Sequence, residues 1–324
     1  MRGGRCVYQL LSDADKSAAL PWTGLILFVG FIPCWGGAQF FYTDSMSICF
    51  GVWACLLAKR AAEKRKNRYY WYAGLVWGIG FAIKATVAIS MLAVLLTAIA
   101  AFHWKEWKKS VLLVSAGFLI ICAGVECLWQ MSPSQEMEEE LGAPLEYWLA
   151  LGIAGNGSFL DNNVFATVCI DTPGKDAKRE MARTYIKENM GESLSPKRLV
   201  EKARYNFASG HFGLTDFHDE PVNLAYEFFN INDWTPAAGY TAMLTTGYFY
   251  AILILGALSC IYVFGRLKKG KMPPKAELVT QLTIFGLILF LMIWEANNRQ
   301  LYNHMPWFAM LGAYGLSELF EKRI

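Results

Sequence analysis

YYWYAGLVWGIGFAIKATVAISMLAVLLTAIAAF, Tyr69–Phe102, is an apolar run of about 34 residues interrupted once by a charge, at Lys84. A single helix over it would be about 51 Å long, well beyond a hydrocarbon core of ~30 Å. Lys59, Arg60, Lys64, Arg65, Lys66 and Arg68 precede the run, and Lys105, Lys108 and Lys109 follow it. Basic flanks stay on the cytoplasmic side, so an even number of crossings separates them. The spacing predicts two short helices, Tyr69–Ile83 and Thr86–Phe102, with Lys84 in the turn on the far side.

The same charge rule orders the rest of the chain. Leu20–Phe41 is a first span with Pro33 and Gly36-Gly37 as a kink. Tyr42-Thr43-Asp44-Ser45 is an outer turn, with Asp44 or Ser45 as N-cap of a short helix from Met46 to Ala58. Ser110–Met131 crosses outward with Glu126 in its outer third. Thr241–Phe264 returns, Leu278–Trp294 goes out, and Pro306–Phe320 comes back. The expected fold is an all-α polytopic membrane protein of about eight transmembrane helices with one long outside-facing segment. Its parts are an N-terminal bundle (1–131), an extracytoplasmic segment (132–240) and a C-terminal bundle (241–324). Both termini fall in the cytoplasm, and the expected location is the plasma membrane. Segments assigned inside hold 19 of the 30 Lys and Arg, whereas 132–240 holds nine against seventeen Asp and Glu. One orientation therefore satisfies every loop.

A composition of 55% hydrophobic residues excludes an ordinary soluble domain. Seven of the eight cysteines lie outside the long polar segment, mostly in apolar runs, and no CxxC pair occurs. No zinc or redox site, no metal and no cofactor is expected. The phosphate-binding glycine loop, GxSxG and HExxH are absent, and no nucleic-acid partner is indicated.

Within the outer segment, Glu136–Glu140 reads as a solvated acidic run. Pro144–Gly152 (PLEYWLALG) is apolar but too short to span, so it reads as a re-entrant or interfacial piece. Asp176–Met190 and Ser195–Ser209 are expected helices, the second capped by Ser195 with Pro196 in its first turn. Pro221–Asn230 reads as an amphipathic helix on the bilayer. Asn156-Gly157-Ser158 fits the glycan acceptor pattern. His211 and His218 lack metal-ligand spacing.

Chemistry gathers at the outer boundary. Trp294-Glu295-Ala296-Asn297-Asn298-Arg299, followed by Tyr302, His304 and Pro306, sits between two apolar runs. On a helix Glu295 and Arg299 share a face. Charges at membrane depth are kept when paired or used. Asp44, Lys84, Asp161 and Glu295 to His304 are expected on that same face, with Glu126 just below. Bland readings stand beside this one: Asp44 as a cap, Lys84 as a snorkelling charge or a partner of Glu126, and Trp294 and Trp307 as interfacial anchors. Cations at such a boundary hold a lipid-linked phosphate, and a carboxylate takes a proton from an attacking hydroxyl or amine.

With these residues in view, the chain resembles the GT-C class of membrane glycosyltransferases, the polyprenyl-phosphate-sugar users such as protein O-mannosyltransferases and aminoarabinose transferases. The matching pieces are Tyr42-Thr43-Asp44, Gly74–Val87 (GLVWGIGFAIKATV), Tyr147–Gly157, and Trp294–Pro306 with Leu311–Leu316 after it. The resemblance implies sugar transfer, with inversion, from a polyprenyl-phosphate donor to a glycan, lipid or protein acceptor on the outer face. It implies Arg299 and Lys84 on the donor phosphate, with Asp44 and Glu295 lining the sugar or acceptor site as the catalytic carboxylates. Asp161, Tyr302 and His304 complete the expected substrate site. The class carries its main catalytic Asp in a first outer loop after an initial helix, whereas here the first outer turn is only Tyr42–Ser45 and follows a Pro-bearing helix that looks like a later one in the family. The expected relation is therefore to the family's middle and C-terminal part, with the front missing, and Gln300 stands where an aromatic is expected. Two other functions compete: a carrier or flippase for a lipid-linked or anionic substrate, and a non-catalytic assembly subunit. A carrier predicts paired broken helices in repeated halves, and no internal repeat is present.

Overall fold

The computed structural model describes residues 2–12, 19–36, 43–101, 104–155, 157–158, 172–210, 212 and 234–321. Among them every regular element is helical. In chain order these are α1 Arg2–Leu11, α2 Ala19–Val29, α3 Pro33–Gly36, α4 Thr43–Ser47, α5 Phe50–Lys64, α6 Arg68–Ile83, α7 Ala88–Ala101 and α8 Trp104–Gln130. Then come α9 Gln135–Leu141, α10 Leu145–Ile153, α11 Lys175–Ser193, α12 Pro196–Phe207, α13 Trp234–Lys268, α14 Lys275–Ile293 and α15 Met305–Glu321. Short 3₁₀ stretches cover Ala85–Val87 and Asn298–His304. The tyrosine of the turn at Tyr42, the sequon residue Asn156, Asp161, His211, His218 and the amphipathic stretch 221–230 lie outside the described residues.

Thr43–Lys64, Lys108–Gln130, Tyr240–Lys268 and Lys275–Ile293 are long and apolar enough to cross a membrane, with Ala19–Val29 and Ala85–Ala100 as shorter apolar helices. The described residues are thus those of an all-helical integral membrane protein. The break at Lys84 falls where charge parity puts it. Helix α6 ends at Ile83, and Lys84 takes extended geometry, φ −149° and ψ 113°, while its N–H still bonds to the Gly80 carbonyl.

The N-terminal segment folds as well: Val7, Leu10 and Leu11 recur at helical spacing and are buried on one face of α1. One sequence expectation is corrected here. The first span is broken rather than kinked. Helix α2 ends with the Gly30 N–H on the Ile26 carbonyl, and Pro33, which has no N–H, opens α3. The acidic run forms α9, because Lys175 pairs with Glu138 at 2.6 Å and buried Lys178 donates to the Glu140 and Leu141 carbonyls at the helix C-terminus.

The chain divides into two compact units. The first comprises Met1–Ala123, Gly210–Gly286 and Arg299–Ile324; the second comprises Gly124–Ser209 and Leu287–Asn298. In the first unit α13 packs along α15, α5 on α6, and α2 on α15. Close backbone approach needs glycine at Gly74, where a Cβ would strike the Val114 carbonyl of α8 and come within 3.1 Å of the Gly117 Cα. Phe31, Phe212, Phe249 and Phe308 form a buried aromatic cluster, with centroids 5.1–6.2 Å apart along the chain of contacts.

In the second unit α10 lies against α11 and buries Tyr147, Ala150, Leu151 and Ile153. Charge-rich α11 therefore covers an apolar face of the PLEYWLALG helix. Glu146 accepts from Arg183 Nε at 3.1 Å and Nη2 at 2.7 Å. The backbone N–H at Glu146, together with Arg183 and Arg179, holds its carboxyl below the usual range.

Candidate active site

The site in the first unit starts from the interrupted span. Because α6 stops at Ile83, the Lys84 ammonium is set at a helix boundary, 22% exposed at its side chain. Asp44, in the first turn of α4, is buried and meets it at 3.0 Å through Oδ1 and 3.2 Å through Oδ2. Asp44 is therefore an ion-pair partner, not the N-cap of the following helix: α5 begins after Cys49, and that cap makes no side-chain bond. Lys84 pairs with Asp44, whereas Glu126 is exposed and accepts from Gln130 Nε2 at 3.1 Å. A half-buried pair like this is worth little net, but losing one partner strands the other charge.

The 3₁₀ stretch 298–304 reaches the same turn. Asn303 Nδ2 donates to Thr86 Oγ1 at 2.9 Å, and Asn303 Oδ1 lies 2.6 Å from His304 Nδ1. Tyr302 Oη donates to the Cys34 carbonyl at 2.9 Å. Arg299 lies close enough to bear electrostatically on Asp44, and Lys84 does so on His304. Burial pushes the His304 imidazole down to about 4, with Lys84 adding to the effect, so the ring is neutral near pH 7. His304 is thus a hydrogen-bonding group and not a third cation.

The structure therefore brings together Asp44, Lys84, Arg299, Tyr302 and His304, as their interruption of apolar runs implies. Asn303 and Thr86 are added to them. Glu295 is half-buried and belongs to the second unit. The expected helix face shared by Glu295 and Arg299 does not form. Helix α14 ends at Ile293, and the Ala296 N–H goes to the Gly157 carbonyl at 2.8 Å instead of continuing the helix. Trp307 is also not an interfacial anchor, being 3% exposed.

The second unit contains a knot that the sequence does not announce. The Lys202 ammonium of α12, 2% exposed, donates to the Gly152 carbonyl at 2.5 Å and to the Trp294 carbonyl at 2.7 Å. Desolvation pushes its pKa down to about 8. Gly152 has no room for a Cβ against the Trp294 backbone, and Gly157 adopts φ +85° with the Lys202 Cε beside it. One buried cation thus fastens the end of α10, the turn at Gly157 and the Trp294–Ala296 segment. Among the described residues no group of His, Cys, Asp and Glu is arranged to hold a metal ion.

Comparison with known proteins agrees with this architecture. Residues 6–129 match the family model described as dolichyl-phosphate-mannose-protein mannosyltransferase. The GT-C resemblance is shown for this part of the chain, which includes Asp44 and Lys84. Together with the membrane-length helices, the match makes residues 6–129 similar to a membrane glycosyltransferase domain. The expected loss of a front part finds no support in the match. No curated protein and no solved structure matches the chain.

Proposed function

We propose that the chain is an integral-membrane glycosyltransferase that moves a sugar from a polyprenyl-phosphate donor to an acceptor at the outer face. The carrying observation is the Asp44–Lys84 pair at the interrupted span, with Arg299 within electrostatic reach. A lipid phosphate arriving between Lys84 and Arg299 exchanges one anion for another at the Lys84 ammonium. Asp44 then loses its close counter-ion and becomes the stronger base. It takes the proton of the acceptor hydroxyl or amine as that atom attacks the anomeric carbon. The anomeric C–O bond breaks, and polyprenyl phosphate leaves with the negative charge held by Lys84 and Arg299. His304 and Asn303 supply neutral hydrogen-bonding groups beside the sugar. Asp44, and not Glu295, carries the base role in this reading.

The test is transfer from a polyprenyl-phosphate mannose probe, using the full chain in membranes and the Asp44→Asn and Arg299→Ala variants. Turnover falling by at least about 100-fold in both supports the reading. Uptake of the probe with no covalent product would mean a carrier. Neither uptake nor product unless another protein is added would mean an assembly subunit.

A further inference from the structure

A second site lies at the other end of α6. A cavity of about 500 Å³ opens in the first unit, lined by Cys55, Val94, Ala98, Val279, Trp307 and Met310. That size suits a small-molecule ligand, and its walls are mostly apolar. At one end it meets Lys59 and Glu63, near the C-terminus of α5, and Lys275, the first residue of α14. Lys59 is fixed there: its ammonium donates to the Gln9 and Leu10 carbonyls at 3.2 Å each and lies 3.9 Å from Glu63. Arg60 reaches Gln9 Oε1 at 3.0 Å. Beyond the rim, Lys64, Arg65, Lys66 and Arg68 follow at exposed or half-exposed positions. Glu63 offsets one charge, but the rim and the run after it remain cationic.

We propose that this crevice binds an anionic glycerophospholipid, one acyl chain lying between α5, α7, α14 and α15 and the phosphate resting at Lys59 and Lys275. The apolar walls select hydrocarbon over a soluble metabolite, and the cationic rim selects a negative headgroup over a zwitterion. The basic segments flanking α6 and α14 place the rim at the cytoplasmic headgroup level. Amphipathic α1, held against the rim through Gln9 and Leu10, occupies the same level. The headgroup at this rim is not that of the sugar donor, since Lys84 stands at the opposite end of α6, a 16-residue helix about 24 Å long. The site is independent of the transfer reaction and stands or falls without it.

The full chain is taken up in vesicles of equal parts phosphatidylglycerol and phosphatidylcholine, and retained lipid is weighed by native mass spectrometry. One phosphatidylglycerol per chain is expected, favoured over phosphatidylcholine by about tenfold. Lys275→Gln lowers that preference about fivefold, Ala98→Trp fills the crevice and expels the lipid, and Lys84→Gln changes neither. Equal retention of the two lipids by the unaltered chain overturns the proposal, whether or not the variants fold. So does retention undiminished in both Lys275→Gln and Ala98→Trp. Displacement of phosphatidylglycerol by added polyprenyl phosphate, with loss in Lys84→Gln, would reassign the crevice to the donor.

Discussion

Lys202 holds its charge in a place where solvation is nearly lost, and the two carbonyls in front of it recover only part of what water gave. The sign of its pH effect follows. Below about pH 8 the folded and unfolded chains both carry the proton, and the cost of burying the charge is fully present. Between about 8 and 10.5 the folded chain has shed a proton that the unfolded chain keeps, so stability climbs with pH; above 10.5 it climbs no further on this account. The gain is about 3 kcal/mol at most, set by the gap between about 8 and 10.5. Lys202→Met should abolish that climb in denaturant titrations. It should also speed amide hydrogen exchange at 152–158 and 294–298 by about tenfold, as two carbonyls lose their donor. The Asp44–Lys84 pair behaves differently, because removing one member strands the other. Lys84→Met should cost about 3 kcal/mol in thermal unfolding, and adding Asp44→Asn should restore most of it. These two lysines also mark what could be seen in advance. Lys84 interrupts an apolar run, so its burial is an anomaly that the sequence displays. Lys202 sits in a helix with Lys197, Arg198, Glu201 and Arg204, a composition that reads as a wetted face, and only the tertiary fold reveals carbonyls waiting for it.

At the level of helices, close packing rests on missing side chains. Gly74 and Gly78 are one turn apart on α6, and α8 crosses them. A Cβ at Gly78 would lie 2.7 Å from Ile121 Cβ, and one at Gly74 would meet backbone, which cannot swing aside. Gly74→Ala should therefore force α6 and α8 apart and cost about 2 kcal/mol. Gly124→Ala, with open space around it, should cost nothing measurable. Thermal unfolding of the two variants side by side checks this. Helix boundaries were readable where charge or proline punctuates them, as at Lys84 and Pro196, whereas Pro33 reads as a kink and opens a new helix. They were not readable where a distant group captures the backbone. Glu295 and Arg299 have helical spacing, yet the Gly157 carbonyl takes the Ala296 N–H and the helix ends before either. Nor does the spacing within α1 stand out in a segment this short, because three arginine and lysine residues among nineteen dominate its composition.

For the whole molecule, orientation is the quantity that joins the two proposals. The transfer site and the lipid crevice lie at opposite ends of α6, so one must face outward if the other faces the cytoplasm. The basic run Lys59–Arg68 and the run Arg266–Lys275 are both dense in cations, while α11 and α12 mix cations with carboxylates. The cytoplasmic preference of lysine and arginine beside spanning helices predicts that the dense runs lie inside. Trypsin supplies a direct reading, since each face exposes its own cleavage sites: Arg183 of α11 is 66% exposed at its side chain, and Lys64, Arg65 and Lys66 are exposed at the end of α5. In right-side-out vesicles, cuts should fall within Lys175–Arg204 and leave the 64–68 and 268–271 loops intact. In inverted vesicles the pattern should reverse, with fragments identified by mass. Cleavage of both sets from one face would break the even-crossing rule applied to Tyr69–Phe102. It would also remove the separation between Lys84 and Lys59 on which the two binding sites depend.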